Sequence, residues 1–386
     1  MKRFAIITTH PIQYNAPVFA MLAARAKIEV KIFYTWGKEV LKDKYDPGFG
    51  KIINWDIPLL EGYNYAFVEN GAIEKGSHHF KGIDNPHLID EIEAWKADAV
   101  LVYGWSFKSH LKVMRHFKGK LPVYFRGDST LLNSNNFFKG FIRKNFLRWV
   151  YSFVNKAFYV GTYNKQYFLA AGLKKNNLIF APHAIDNYRF YIQSNAGVEL
   201  SKKIREEFKI EESAIVFLYA GKLDANKNII SLIQAFLALN HPQAHLLIAG
   251  DGEKKKSLIE LAGTNKAIHF LPFQNQQNMP ILYGACDVFV LPSINETWGL
   301  SINEAMACQK AIIASKGCAA SIDLVNEGVN GYLFDTGIDG MLEAVLKKCC
   351  DAGKNSLKIM GGKSFEHIQS WNYLHICTAI ENEIIG

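Results

Sequence analysis

The sequence predicts two α/β domains, each built on a parallel sheet with helices on both faces. Short apolar runs of strand length alternate with segments of helical length, and this pattern stops and restarts near the middle of the chain. A length of 386 residues also suits two or three domains with separate cores. We therefore expect two domains of similar size, whose ligands bind at the carboxyl ends of their strands in a central cleft.

The first half opens with a β-α-β pattern. A strand candidate spans 3–9, apolar residues at helical spacing span 16–24, and a second strand candidate spans 28–34. The further strand candidates of this half lie at 99–103, 123–125, 157–160 and 178–181. Because the intervals between them are long enough for crossover helices, these strands are expected to pair in parallel.

The pattern restarts near residue 196. The strand candidates of the second half lie at 214–219, 246–248, 268–271, 288–291 and 311–314. We place the first domain at 1–190, the second at 191–365, and a final helix at 366–386 that packs back on the first domain.

Composition narrows the class of protein. Apolar residues make up 49% and charged residues 21%, which is typical of a packed globular protein and excludes general disorder. The 44 lysines and arginines exceed the 36 acidic residues by 8, which suits phosphate-bearing ligands or an anionic membrane and does not require nucleic acid. The six cysteines show no CxxC spacing, and we expect a reducing cytoplasm, no zinc site and no transmembrane helix.

The most informative segment is 291–307. A strand ends at its start, a loop carries Glu296, and Gly299 marks the entry to a helix that carries Glu304. A helix N-terminus offers unpaired N–H groups and a positive dipole end, which together suit a diphosphate. The carboxylates could accept hydrogen bonds from hydroxyls, Glu296 from a sugar and Glu304 from a ribose. Taken singly, each glutamate is as readily a solvated loop residue or a stabiliser of the helix end.

A second segment, 219–228, places Gly221, Lys222 and Lys227 after another strand. Lysine supplies a point charge for a phosphate oxygen, and glycine lets the backbone approach closely. By itself this pattern also describes a turn with two exposed lysines. Because both segments end strands of the same predicted sheet, their charges should converge on one place.

These segments resemble glycosyltransferase family 4, the retaining nucleotide-sugar transferases of the GT-B fold with two Rossmann-like domains. The matching pieces are GKLDANKN (221–228), LLIAGDGEKKKSL (246–258), FLPF (270–273), DVFVLPSINETWGLSINEAMA (287–307) and LVNEGVNGYLF (324–334). The family's two glutamates, separated by seven residues, fall on Glu296 and Glu304. No GxGxxG motif supports a dehydrogenase.

The resemblance implies roles for individual residues. Lys222, in place of the family's usual arginine, and Lys227 would hold the donor diphosphate, and Glu296 would contact the transferred sugar while Glu304 contacts the ribose. The implied donor-binding set is completed by Gly221, Phe273, Trp298, Gly299 and Leu300. The resemblance also implies a nucleotide-sugar donor with no cofactor and no metal, since lysines and a helix end can stabilise the leaving group.

The first half resembles the family much less. In place of a glycine-rich loop it has THPIQYNAP at 9–17, which makes His10 and Tyr14 acceptor-side candidates, although a capping histidine in a turn explains His10 equally well. Arg126 and Asp128 stand where many relatives carry a histidine, and they are acceptor-side candidates too. We include Asp128 with Glu296 and Lys222 as a catalytic candidate, with a helix N-cap as its alternative.

Segment 136–156 combines aromatic residues with basic ones in a helical rhythm. The basic residues are Lys139, Arg143, Lys144, Arg148 and Lys156. This composition is typical of a helix lying on an anionic membrane, and equally of a domain helix with a buried aromatic face. A lipid-linked acceptor would require the protein at the membrane surface.

The resemblance therefore implies a retaining transferase that moves a sugar from a nucleoside diphosphate sugar, expected to be a UDP-sugar, to a bacterial surface glycan or a lipid-linked oligosaccharide. We expect it in the cytoplasm, with the inner face of the membrane as a possible peripheral location. Two alternatives stay open: another reaction on this fold, such as sugar-nucleotide epimerisation, and a non-catalytic nucleotide-sugar-binding protein at the membrane.

Overall fold

The computed structural model describes residues 1–38, 45–46, 49–52, 55–132 and 137–386. The chain divides into two compact units. The first unit comprises Met1–Lys44, Pro58–His183 and Tyr373–Gly386, and the second comprises Tyr45–Ile57 and Ala184–Asn372.

These bounds differ from the sequence-based ones in three places. The main division falls at 183/184 rather than at 190/191, and the returning C-terminal segment begins at Tyr373 rather than at 366. The second unit also takes in the short segment 45–57, which sequence order alone assigns to the first. The described residues of this segment pack with the second unit, a long-range contact that no local pattern reveals.

The first unit is an α/β unit on a seven-stranded sheet. The strands before residue 184 are β1 (Arg3–Thr8), β2 (Glu29–Tyr34), β3 (Tyr45–Asp46), β4 (Lys51–Ile52), β5 (Asn64–Phe67), β6 (Ala99–Tyr103), β7 (Val123–Arg126), β8 (Lys156–Tyr159) and β9 (Leu178–Phe180). The helices are α1 (Ala16–Arg25), α2 (Leu88–Ala94), α3 (Lys108–Phe117), α4 (Phe137–Tyr151) and α5 (Thr162–Ala170). The sheet order is β5-β2-β1-β6-β7-β8-β9 with every pair parallel, while β3 and β4 form a separate antiparallel hairpin.

The second unit is built in the same way on six strands. They are β10 (Ile215–Ala220), β11 (Ala244–Ala249), β12 (Ile268–Leu271), β13 (Val288–Leu291), β14 (Ala311–Ser315) and β15 (Gly331–Phe334), in the order β12-β11-β10-β13-β14-β15. The later helices are α6 (Asn187–Ala196), α7 (Val198–Glu207), α8 (Ile229–Leu239), α9 (Lys255–Ala262), α10 (Met279–Gly284), α11 (Leu300–Ala307), α12 (Ser321–Leu324), α13 (Met341–Ile368) and α14 (Tyr373–Ile385). The predicted fold class of two parallel-sheet α/β domains is confirmed.

Helix α3 illustrates how the first unit forms its core. Leu111, Met114 and Phe117 recur every three residues, which places them on one face of the helix. All three are buried in a cluster that includes Val100 and Val102 of β6. The apolar face therefore fixes the helix against the sheet.

The C-terminal helix α14 belongs to the first unit. Its Cys377 and Ile380 are buried, and Arg25 of α1 donates two hydrogen bonds, of 2.6 and 2.7 Å, to the buried carboxylate of Glu381. This bond to Arg25 lowers the pKa of Glu381. The expected return of the last helix to the first domain is thus present. Among the described residues, no helix combines the length and the apolar character that crossing a membrane requires.

Candidate functional site

The loop after β10 is packed tightly against the loop after β11. The Gly221 N–H donates to Ala249 O at 3.0 Å, and the Leu223 N–H donates to Asp251 O at 2.9 Å. A Cβ on Gly250 would lie 1.9 Å from the carbonyl oxygen of Gly221, so a larger residue there would push the loops apart. This close backbone approach fixes the position from which Lys222 and Lys227 project.

Lys227 and Glu296 lie together at the carboxyl edge of the second sheet. The Lys227 ammonium forms an ion pair and hydrogen bond with Oε2 of Glu296, and each side chain is only 19% exposed. Their loops are joined as well, because the Ile294 N–H donates to Asn226 O at 2.8 Å and the Asn226 amide donates to Asn295 O at 2.6 Å. The structure therefore brings these two predicted site residues into contact.

Helix α11 begins at this same place, directly after Gly299. That residue has a φ of 101°, and a Cβ on it would lie 2.8 Å from both Cys318 Sγ and Leu291 Cδ2. Glycine is required there for its backbone conformation and for space. The turn places the first N–H groups of α11, from Leu300 onward, at the end of the helix that lies nearest the Glu296 loop.

Trp298 faces the interior of the second unit. Its ring is buried, stacks on Trp371 with centroids 5.2 Å apart, and donates from Nε1 to Asn303 Oδ1 at 3.0 Å. These contacts hold the residue before Gly299 in place. The side chain of Trp298 thus lies with the supporting core, whereas its neighbours in sequence lie at the sheet edge.

Glu304 is a buried carboxylate on α11, with 3% of its surface exposed. The Tyr283 hydroxyl donates to its Oε2 at 2.9 Å, and Gln276 donates to its Oε1 at 3.4 Å. Arg189 in turn binds Gln276, with bonds of 2.9 Å to the amide oxygen and 3.0 Å to the carbonyl oxygen. A buried carboxylate needs such donors, but the sequence reasoning missed both of them and Arg189 because these residues lie far from Glu304 in the chain.

Phe273 follows β12 in the second unit. Its backbone N–H lies 3.4 Å from Oδ2 of Asp251, and Oδ1 of Asp251 accepts from Lys255. Phe273 therefore lies beside the loop that carries Gly250 and Asp251.

In the first unit, His10 and Tyr14 share the loop between β1 and α1. Nδ1 of His10 lies 2.8 Å from Thr9 Oγ1, and its ring packs edge-on against Trp36 with centroids 5.3 Å apart. Tyr14 lies within the turn in which the Asn15 and Ala16 N–H groups both donate to Ile12 O. Both candidates stand at the carboxyl end of β1.

Arg126 binds backbone carbonyl groups at the end of the first sheet, and its charge is not exposed for a ligand. Its guanidinium is buried and donates to Ala181 O at 2.7 Å and to Pro182 O at 2.9 Å. Burial lowers its pKa. The residue thereby ties the end of β7 to the chain that follows β9.

Asp128 pairs with a residue that sequence reasoning did not select. Its Oδ2 lies 3.7 Å from Nε2 of His183, and the pKa of His183 is lowered by burial, against an opposing effect of Asp128. The alternative of an N-cap does not apply, because α4 begins only at Phe137. The signal for His183 was its place directly after β9, at a strand's carboxyl end.

Helix α4 covers most of the predicted basic segment; residue 136 and the side chain of Lys139 lie outside the described residues. Leu147 and Val150 are buried, whereas Phe146 and Trp149 are each 42% exposed. The exposed side also carries Lys144 and Arg148, while Arg143 is exposed too but lies on the helix face of Leu147 and Val150. The helix therefore has a packed face and an exposed face that is both basic and aromatic.

Comparison with known proteins points to sugar transfer. Residues 201–359 match the family model described as Glycosyl transferases group 1. The alpha-galactosylglucosyldiacylglycerol synthase of Streptococcus pneumoniae is 25% identical over 293 residues, which is 72% of this chain and 70% of that enzyme. The lipopolysaccharide 1,2-N-acetylglucosaminetransferase of Salmonella typhimurium is 33% identical over 144 residues, covering 33% of this chain and 37% of that enzyme.

A solved structure with the same fold is that of Anabaena HepE in complex with UDP and glucose. It aligns over the full length of both chains with a TM-score of 0.70 and 18% identity. Apart from the pneumococcal enzyme, this chain spans about a third to a half of the length of the curated relatives compared. The family model and the curated relatives support a glycosyltransferase, and the fold is the GT-B fold.

Proposed function

We propose that this chain is a retaining, family 4 glycosyltransferase that takes a sugar from a UDP-sugar and transfers it to a hydroxyl of a surface glycan or a lipid-linked oligosaccharide. The observation that carries the proposal is the contact between Lys227 and Glu296 beside the N-terminus of α11. A cation, a carboxylate and a helix N-terminus together match the diphosphate and the sugar of such a donor. The UDP and glucose bound by the Anabaena neighbour support the choice of base.

In the structure Lys227 and Glu296 neutralise each other. Donor binding would separate the pair, because the diphosphate offers oxygens to the ammonium and the sugar offers hydroxyls to the carboxylate. Each charge then exchanges one partner for another rather than losing its partner, which keeps the desolvation cost of binding low.

This placement supports the chemistry that we propose. The bond between the anomeric carbon and the diphosphate oxygen breaks, and Lys222, Lys227 and the N-terminus of α11 stabilise the negative charge that develops on the leaving group. The acceptor hydroxyl attacks from the same face, and its proton passes to a phosphate oxygen. Glu296 holds the sugar and stabilises the positive charge at the reacting carbon, so that no metal is required.

The acceptor side is proposed in the first unit, around Asp128 and His183 and the loop with His10. The names of two relatives, an alpha-galactosylglucosyldiacylglycerol synthase and a lipopolysaccharide 1,2-N-acetylglucosaminetransferase, refer to lipid-containing molecules, which supports a lipid-linked acceptor for this chain. The exposed basic and aromatic face of α4 agrees with an anionic membrane as the surface where such an acceptor is found. We therefore propose a peripheral location on the inner face of the membrane.

Release of nucleoside diphosphate from a panel of UDP-, GDP- and ADP-sugars tests the proposal, with and without EDTA and with lipid-linked acceptors. We expect release from one UDP-sugar, faster with acceptor and unchanged by EDTA, and a product that keeps the anomeric configuration by NMR. Glu296→Gln should lower the rate about 100-fold or more, whereas the control Glu199→Gln, at an 80% exposed side chain, should not. Donor binding without release under any condition, or full activity of the Glu296 variant, would overturn the proposal.

A further inference from the structure

The segment 45–57 lies between β2 and β5 in the sequence, yet it groups with the second unit. Its described part includes the β3–β4 hairpin, with the backbones of Tyr45 and Ile52 paired. A segment that leaves one unit and packs with the other needs specific contacts, because ordering its chain costs conformational entropy. Those contacts lie at the candidate donor site.

One end of the segment is anchored by three hydrogen bonds. The Gln277 N–H lies 3.1 and 3.3 Å from the two carboxylate oxygens of Asp56, and the Gln277 side-chain amide donates to Asp56 O at 2.6 Å. Gln277 belongs to the loop between β12 and α10, which also carries Phe273. The anchor therefore holds the segment against the loop expected beside the donor.

Phe49 joins two donor-site loops. Its ring packs edge-on against Phe273 with centroids 4.9 Å apart and planes at 74°, and the Lys222 Nζ lies 5.1 Å from the centroid of the Phe49 ring. The ammonium is thus within the range in which the negative face of an aromatic ring attracts a cation. A single side chain from the first half of the sequence contacts two predicted donor-binding residues from different strand ends.

A lysine needs such support more than most cations do. Its ammonium sits on a flexible four-carbon stem, so an unsupported Lys222 would occupy many positions around the diphosphate. The Phe49 ring restricts the ammonium to one region while leaving its N–H donors able to bind phosphate oxygens. Phe273, behind the ring, fixes the ring itself.

We propose that Phe49 is a positioning residue that holds the Lys222 ammonium for the donor's diphosphate, and this inference rests on the proposed function. Phe49 acts through Lys222, so its effect belongs to the part of the donor that Lys222 binds. Its removal should weaken ligands with a diphosphate and spare the nucleoside alone.

The test is titration calorimetry of the full chain with UDP and with uridine. Phe49→Leu keeps an apolar side chain but removes the aromatic face, and we expect it to weaken UDP about 5- to 10-fold and uridine less than twofold. Phe49→Trp keeps the face and should bind UDP like the wild type. Ile52→Ala, at an exposed position of the same hairpin, is the matched control and should change neither ligand.

Lys222→Met distinguishes the role of Phe49 from the existence of the donor site. It should weaken UDP at least as much as Phe49→Leu, and the double variant should be no weaker than Lys222→Met alone, because the ring acts through the ammonium. If Lys222→Met reduces UDP binding while Phe49→Leu does not, or if Phe49→Leu weakens UDP and uridine equally, the role of Phe49 is overturned and the donor site stands. If Lys222→Met leaves UDP binding unchanged, the donor site itself is wrong, and the inference falls with it.

Discussion

The carboxyl edges of the two sheets carry polar residues that do different work. At the second sheet, Lys227 and Glu296 are partly exposed and bind each other, so both can exchange partners with a ligand. At the first sheet, Arg126 at the end of β7 and His110 near the start of α3 are buried, and their hydrogen bonds hold the backbone at strand ends together. The difference teaches that a polar residue at a strand's carboxyl end marks a ligand site only if its partners can be replaced.

His110 is the clearest example of a buried polar residue with a structural role. Its Nδ1 lies 2.9 Å from Gly104 O and its Nε2 lies 2.9 Å from Thr35 Oγ1, so the ring joins the end of β6 to the residue that follows β2. A neutral ring with its proton on Nδ1 satisfies both bonds. Burial lowers the pKa of His110 to about 4, which keeps the ring neutral near pH 7.

We expect the largest effect of a single substitution on the rate of sugar transfer. Lys227→Met should reduce sugar transfer about 100- to 1000-fold, because it removes a cation that stabilises the leaving diphosphate. The free energy of unfolding should fall by only about 1 to 2 kcal/mol, since the Glu296 carboxylate that loses its partner is partly exposed and can be hydrated. Initial rates and urea unfolding measure the two effects, with the exposed Lys202→Met as the control. A variant that instead unfolds readily and keeps its specific activity would place Lys227 with the structural residues.

Arg126→Met should show the opposite pattern. It leaves the carbonyl oxygens of Ala181 and Pro182 without their donors inside the first unit, at a cost of about 3 kcal/mol in the free energy of unfolding. Urea unfolding of the full chain measures this loss, and Arg143→Met, at an exposed position of α4, should be neutral. A stable Arg126→Met protein that loses only acceptor-dependent transfer would show that Arg126 serves the acceptor and not the sheet.

His110 predicts a pH dependence of stability. The pKa is about 4 in the folded chain and near 6.5 when unfolded. As the pH falls below 6.5 the unfolded chain binds a proton that the folded chain does not, so stability is lost between pH 6.5 and 4, by about 2 kcal/mol at pH 5. His110→Gln should flatten the curve by this amount. The effect is measured as the difference from wild type, because His183, His245 and His269, whose pKa values are also lowered, contribute their own slopes. Identical pH profiles for variant and wild type would contradict it.

The sequence predicted that a loop and a helix start follow strand β13 of the second sheet, because the residues that determine them are neighbours in the chain. Gly299 must adopt a positive φ at the start of α11, and the spacing from Glu296 to Glu304 follows the loop and helix that connect them. Turn chemistry of this kind is written within one short segment. The alternation of apolar runs likewise located most strands of both sheets.

The missed features are those that depend on distant parts of the chain. Phe49 reaches the donor-site loops from the first half, and Arg126 finds its partners beyond β9. His183 and Tyr283 carry no motif of their own and gain meaning only through Asp128 and Glu304. Each of these contacts joins residues that are far apart in the chain, and such contacts produce no periodic pattern in the sequence.

The smallest effect concerns the support of Glu304. Tyr283→Phe removes the hydroxyl that donates to Glu304 Oε2 and leaves the ring in the core. The loss of one hydrogen bond to a buried carboxylate corresponds to about 1.5 kcal/mol, or about tenfold in affinity if the misplaced Glu304 binds the ribose. Calorimetry should then show uridine and UDP weakened equally, unlike Phe49→Leu, which spares uridine. A Tyr283→Phe protein that is less stable but binds uridine normally would make Glu304 a structural residue and confine ligand chemistry at this edge to Glu296 and the lysines.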